Sequence, residues 1–286
     1  MVKISNTLLK LKQQYYSKRI RQVLLKTKLL SLIKSLYYTL YRQSLNKIRS
    51  ESVLGHTMKF HQISEVEQHQ INTSLDETSI IKRIIECCRP NDTVFDVGGN
   101  IGVHACLIQK NMETSTSAKV VSFEPHPNNV RRLHQNAKLN QVDLRVEQVA
   151  LFDQEGTMTL HSVSEKPGEG KHALKTNEDS DLEEIEVETI PGDKYIKREN
   201  LPTPNVIKID VEGAEYQVLR GLSETLERDD CRSVFVEVHR TKLSAFDSST
   251  EKIEYLLREK GFEIRQIRDR ESEYFIEATK PDSNNK

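Results

Sequence analysis

Three runs of this 286-residue chain bring together side chains able to bind and activate a ligand. In the first, the apolar stretch Val94–Val97 carries Asp96 and runs into Gly98, Gly99, Asn100, Ile101 and Gly102. A glycine-rich turn between a strand and a helix lets a ligand approach the backbone closely. The glycines at 98, 99 and 102 do not have the G-x-G-x-x-G spacing of a dinucleotide site. A carboxylate beside the turn repels a pyrophosphate and suits a ligand bearing a cationic amino group and a sulfonium. The second run is Phe123-Glu124-Pro125, one strand–helix unit later. An acidic residue at such a strand end accepts hydrogen bonds from the vicinal hydroxyls of a ribose, and charge-assisted bonds of this kind are the strong ones. Together the two runs predict a site for a nucleoside with a cationic tail.

The third run is Val206-Ile207-Lys208-Ile209-Asp210-Val211-Glu212-Gly213-Ala214-Glu215, and Val236-Glu237-Val238-His239 follows it. Asp210 stands at the carboxyl end of its strand, where ligands of open α/β sheets bind. His239, beside Glu237, has the side chain whose ordinary pKa lies closest to neutrality, and is read as a general base. Asp210 and Glu212 could instead serve the N-terminus of the following helix, as Glu215 is expected to do. The group Asp210, Glu212, Glu237 and His239 could also hold a divalent cation, but its spacing is not diagnostic of a metal.

In their order and spacing these four segments closely resemble the FkbM family of S-adenosylmethionine-dependent methyltransferases over roughly residues 90–240. Gly99 departs from the alanine common there. The resemblance implies a Rossmann-like class I methyltransferase fold with a mostly parallel seven-stranded sheet. It implies S-adenosyl-L-methionine as cofactor, held by Asp96, Gly98, Gly99, Asn100, Gly102, Glu124, Pro125, Ala150 and Asp210. It implies transfer of the methyl group to a hydroxyl of a small molecule, sugar or lipid-linked acceptor, with Asp210, Glu212, Glu237 and His239 as the catalytic group and no resident metal. Two other readings stay open: a nucleotide-dependent oxidoreductase, and a non-catalytic protein that binds S-adenosylmethionine. A nucleic-acid base is not the expected acceptor, since no Asn/Asp-Pro-Pro-Tyr/Phe run follows the fourth strand.

The elements that must position these residues can be read from patterning. Helices are predicted over Ile80–Cys88, Ile101–Lys110, Asn128–Asn140, Tyr216–Glu227 and Glu251–Lys260. Strands are predicted over Thr93–Val97, Val120–Phe123, Leu144–Leu151, Val206–Ile209 and Val234–Val238, with a terminal antiparallel pair at Ile264–Ile267 and Tyr274–Ala278. Such alternation predicts a mostly parallel sheet with helices on both faces. Residues 154–183 read as a polar excursion.

Charge divides the chain. Residues 1–50 hold twelve Lys and Arg and no acidic residue, leaving 30 basic against 43 acidic residues beyond. Ile20, Val23, Thr27, Leu30, Ile33, Tyr37 and Leu40 recur at helical spacing in this arm. It is therefore read as a basic amphipathic helical extension. It either packs on the domain, lies on an anionic membrane surface or, less readily, meets nucleic acid. The organisation expected is this arm at 1–50, a helical lead-in at 51–90, the methyltransferase domain at 91–280 and a polar tail at 281–286. Cys87, Cys88, Cys106 and Cys231 form no disulfide or metal framework. Neither a signal peptide nor a long apolar run is present. A cytoplasmic protein is expected, with contact at the inner membrane surface through the arm as an option.

Overall fold

The computed structural model describes residues 47–115, 118–162, 167–168 and 183–281. Seven strands form the central sheet in the order β11-β12-β10-β9-β3-β4-β5. They are β3 (Thr93–Val97), β4 (Lys119–Phe123), β5 (Arg145–Glu147), β9 (Val206–Ile209), β10 (Ser233–His239), β11 (Glu263–Asp269) and β12 (Glu273–Thr279). All run parallel except β12, which pairs antiparallel with both β10 and β11. The expected seven-stranded, mostly parallel sheet and its terminal antiparallel pair are present.

The strands are apolar almost throughout because both faces of the sheet are covered. Phe95, Val97, Ile207, Ile209, Val234 and Val236 pack into one core layer. Val94, Val206 and Phe235 pack into the other, with helices α2 (Thr78–Cys87) and α3 (Val103–Ser115). Each such side chain, fully withdrawn from water, contributes about 1.5–3 kcal/mol. Helix α4 (Pro127–Asn140) starts with proline in its first turn, where no amide donor is lost, and stops at Gln141 in the left-handed region. Strand order reverses between β3 and β9, so a crevice opens beyond their carboxyl ends.

Several elements depart from expectation. The lead-in is not helical from its start. Strands β1 (Ile48–Val53) and β2 (His56–His61) form an antiparallel hairpin, followed by α1 (Glu65–Asp76) and α2. The period of two at Met58 and Phe60, both fully buried, decides for a strand. Leu54 and Gly55, at φ 49° and 82°, make the turn. The basic arm therefore ends in a strand before residue 50, and its residues 1–46 lie outside the described part.

The strand expected over Leu144–Leu151 is two, β5 and β6 (Ala150–Phe152). The second leaves the main sheet to pair with β8 (Glu183–Pro191) in a small sheet that also holds β7 (Gly156–Ser162). The polar excursion thus begins as a strand, and most of its remainder lies outside the described residues. Helix α5 (Gly192–Arg198) follows β8. The helix expected over Tyr216–Glu227 breaks at Leu222 into α6 (Glu215–Gly221) and α7 (Ser223–Glu227). Gly221 there lies so close to β6 that a Cβ would stand 1.9 Å from the Phe152 carbonyl oxygen. Helix α8 (Thr250–Glu259) packs last, capped by the Ser249 side chain.

Candidate active site

Two cavities meet at the crevice. The first is lined by Gly98, Asn100, Glu124, Pro125, Ala150 and Asp210, with an apolar wall that includes Val149, Leu151, Met158, Leu160 and Phe246. The second, a polar cleft of about 650 Å³, is lined by Gln70, Glu77, Asp210, Glu212, Glu237, His239, Lys242 and Arg270 among others. Gln70, Asp210 and Glu212 line both.

The glycine turn is built by close approach. Gly98 has φ +85°, and a Cβ there would stand 1.8 Å from the Asp210 carbonyl oxygen. Gly98 and Gly99 donate to the Phe123 carbonyl at 2.9 and 3.0 Å, and Asp210 donates its amide to the Val97 carbonyl at 3.0 Å. These bonds lock the ends of β3, β4 and β9 together. Gly99 and Gly102 are needed for packing, since a Cβ would meet Ser122 Oγ at 2.1 Å and Leu133 Cγ at 2.7 Å, respectively. Neither glycine lines either of the two cavities.

Asp96 was expected to face a ligand's cationic tail, and the structure places it elsewhere. It is fully buried, lines neither cavity, and meets Lys208 Nζ at 3.0 Å and the Ser122 hydroxyl at 3.1 Å. The cause lies in the register, which sets Asp96 opposite Lys208 on β9. Lys208 also reaches Asp210 Oδ2 at 3.6 Å. Burial acts against ionisation of Asp210, but Lys208 and then His239 outweigh it and hold its pKa below the ordinary value. A carboxylate thus does face both cavities at the sheet's switch point, and it is Asp210.

Glu124 is almost completely buried and accepts from the Asn100 amide at 2.8 Å, the His126 amide at 2.9 Å and the Asn129 side chain at 3.3 Å. Burial pushes its pKa up to about 7, against the pull of those donors. A carboxylate offers about four acceptor positions, so one remains for an incoming hydroxyl. The Asn100 side-chain oxygen is likewise buried without a partner in the described structure. A pocket with two unfilled acceptors, an ionised carboxylate at its mouth and an apolar wall fits the hydroxyls, positive charge and flat base of S-adenosylmethionine.

In the cleft, His239 is oriented by Glu215, whose Oε1 lies 2.7 Å from Nδ1 and also accepts the Gly213 amide at 2.9 Å. Glu215 therefore does more than serve the helix N-terminus. Nε2 lies 3.6 Å from Glu212 and 3.9 Å from Asp210. Burial disfavours the charged imidazole, yet the Glu215 bond and the Asp210 charge raise its pKa to about 9. Burial and the neighbouring Asp210 and Glu77 push Glu237 up to about 9 as well. Glu212 has φ +57° and Gly213 φ +113°, and a Cβ on Gly213 would stand 2.8 Å from Lys242 Cβ. Lys242 pairs with Glu212. The four predicted catalytic residues thus converge on one cleft. Sequence reading did not find Gln70, Glu77, Lys208, Lys242 or Arg270. Gln70 and Glu77 lie in a segment whose pattern signals only helix.

A doubly wound sheet with one reversed strand near its edge, a glycine turn and an acidic strand end beside a nucleoside-sized pocket define a class I methyltransferase. The chain belongs to the FkbM family: the model described as methyltransferase FkbM domain matches residues 96–264. It is 31% identical over 187 residues to the hexuronic acid methyltransferase AglP of Haloferax volcanii, covering 65% of this chain and 72% of that protein. It is 30% identical over 202 residues to the 31-O-demethyl-FK506 methyltransferase FkbM of Streptomyces tacrolimicus, covering 62% and 74%. Among solved structures it is similar to a SAM-dependent methyltransferase of Agrobacterium tumefaciens, with a TM-score of 0.48 and 12% identity over 83% of this chain and 72% of that one. The family's methyl donor is S-adenosylmethionine. Membership answers the oxidoreductase and non-catalytic readings in favour of a methyltransferase.

Proposed function

We propose that the chain methylates a hydroxyl of a sugar, or of a small or lipid-linked molecule carrying one, seated in the polar cleft. The observation that carries this reading is the position of Asp210, a carboxylate at the end of its strand that lines both the donor pocket and the cleft. Relatives named for a hexuronic acid and for a 31-O position support an oxygen on a sugar or similar scaffold as the acceptor.

S-adenosylmethionine, when bound, supplies an electrophilic methyl group on a cationic sulfur. The chain's own residues do the rest. Glu124 accepts a ribose hydroxyl, Asn100 and the Gly98 turn hold the donor's polar edge, and Ala150 and Pro125 close the pocket. Asp210 balances positive charge at the mouth. In the cleft, Asp210 accepts a hydrogen bond from the acceptor hydroxyl and aligns it, and His239, steadied by Glu215, takes the proton once in its neutral form. Alignment of the reacting groups is the larger part of such catalysis, and a positioned base adds about 10²–10⁴-fold.

The test is transfer of a radiolabelled methyl group to a panel of free and lipid-linked sugars by the wild type, Asp210→Asn and His239→Asn. Both variants are expected to remain folded and lose transfer, with donor binding kept in His239→Asn. Full activity in both would place the chemistry elsewhere.

The basic arm belongs to this proposal as an attachment to anionic lipid, which presents acceptors at the membrane surface. Among the described residues no helix is long and apolar enough to cross a membrane. The support is the arm's charge and helical apolar spacing.

A further inference from the structure

The cleft contains a pairing pattern that methyl transfer alone does not require. Its fixed cations already have carboxylate partners. Lys242 pairs with Glu212, Arg270 with Glu273 and, at 3.2 Å, with Glu77, and Lys208 with Asp96 at 3.0 Å. Among the described residues, Asp210 has only the second, longer contact of Lys208 at 3.6 Å, besides His239. Glu237 is about nineteen-twentieths buried, yet its closest cation is Arg270 at 4.0 Å, beyond hydrogen-bonding reach. No hydrogen bond to either carboxyl oxygen of Glu237 is formed among the described residues, and Glu237 lines the cleft.

His239 completes the arrangement. Its Nδ1 is engaged by the buried carboxylate of Glu215 at 2.7 Å. That leaves Nε2 beside Asp210 at 3.9 Å. A carboxylate on the far nitrogen, fixing the ring and its tautomer, is the arrangement that metal-bound histidines recurrently show. One donor atom each from Asp210, Glu237 and His239 fall within 4.8 Å of one another.

We propose that Asp210, Glu237 and His239 are the ligands of a divalent cation of the Mn²⁺ class at the floor of the cleft, with Glu215 as the positioning residue behind His239. Two carboxylates and one imidazole make a mixed oxygen and nitrogen donor set, which suits Mn²⁺ better than the all-oxygen environment Ca²⁺ prefers. Three protein ligands leave open coordination positions facing the cleft. Resting on the function proposed above, those positions would receive the acceptor's oxygen. Because the ion would occupy His239 Nε2, it would replace His239 as the group that eases loss of the hydroxyl proton, which would pass to cleft water, and it would select acceptors offering two neighbouring oxygens.

The test is titration of the full chain with MnCl₂, followed by the loss of the free-ion paramagnetic resonance signal. One equivalent is expected to bind, with Mg²⁺ competing. Glu237→Gln and His239→Asn should each weaken binding by at least about tenfold. Glu215→Gln should weaken it less. Thermal unfolding of the same variants checks that they are folded. Glu124→Ala, deficient in donor binding, should bind Mn²⁺ as the wild type does. Failure of sugar methylation with this binding intact would count against the acceptor reading and leave the ion site standing. The site is overturned by absence of stoichiometric binding in the folded wild type, or by wild-type affinity in Glu237→Gln and His239→Asn.

Discussion

At the scale of single residues the site is governed by which carboxylates the fold leaves charged. Glu124 and Asp96 both follow apolar strand residues, and in sequence they look alike. Asp96 receives the chain's own counter-charge from Lys208 and is closed off, whereas Glu124 is satisfied only by neutral donors and keeps an acceptor position. The ribose role proposed for Glu124 can be argued from sequence because the acid stands at a strand end one unit after a glycine turn. The fate of Asp96 was not, because it depends on the partner set beside it across β9. Since burial raises Glu124 to about 7 and a hydroxyl donates best to the ionised form, donor affinity should rise as pH increases from 6 to 8. Glu124→Gln should bind about 1–3 kcal/mol more weakly and lose that dependence. Calorimetric titration of both forms across this range checks it; a flat wild-type profile would count against an ionised Glu124.

At the scale of elements, the segment before the sheet supplies one wall of the cleft. Helix α1 carries Gln70 and leads to Glu77. It begins with a capping box in which Ser64 accepts from the Glu67 amide at 3.1 Å and Glu67 accepts from the Ser64 amide at 2.8 Å. Fully buried, Glu67 also pairs with Arg132 of α4 at 2.9 Å. The hairpin docks on the same helix. Asn136 and Asn140, one turn apart, accept from the His61 and Lys59 amides at 2.9 and 2.7 Å. The sequence reading did not single out this S-x-x-E pattern, and its tie to α4 has no local signal, since it joins segments 65 residues apart. Replacing Glu67 by Ala strips the cap and leaves Arg132 buried without its partner, at a cost of about 3–5 kcal/mol. Denaturant unfolding should show this loss. A change under 1 kcal/mol would mean that α1 is held by its apolar contacts alone.

At the scale of the whole molecule, the seven-stranded, mostly parallel sheet was legible because each parallel strand is a short apolar run bounded by turns, and because four motifs recur at the same end of the sheet. What escaped was the small sheet of β6, β7 and β8: β6 is only three residues long, and β7 and β8 are polar strands with few apolar residues to mark them. The acidic domain and basic arm divide the chain's charge, and the hairpin fixes where a clean division lies. Removal of residues 1–46, stopping before β1, should leave the thermal midpoint of the domain nearly unchanged and abolish sedimentation with anionic vesicles. Salt should weaken attachment of the full chain, as its screening length is about 10 Å at 0.1 M. Retained sedimentation of the truncated protein would assign attachment to the domain. The most direct test of the whole account is calorimetric titration of the full chain with S-adenosylmethionine, with NAD in parallel. The account predicts one site of about micromolar affinity for S-adenosylmethionine, no heat with NAD, and a marked loss of affinity in Glu124→Ala. Binding of NAD, or an affinity for S-adenosylmethionine unaltered by Glu124→Ala, would contradict it.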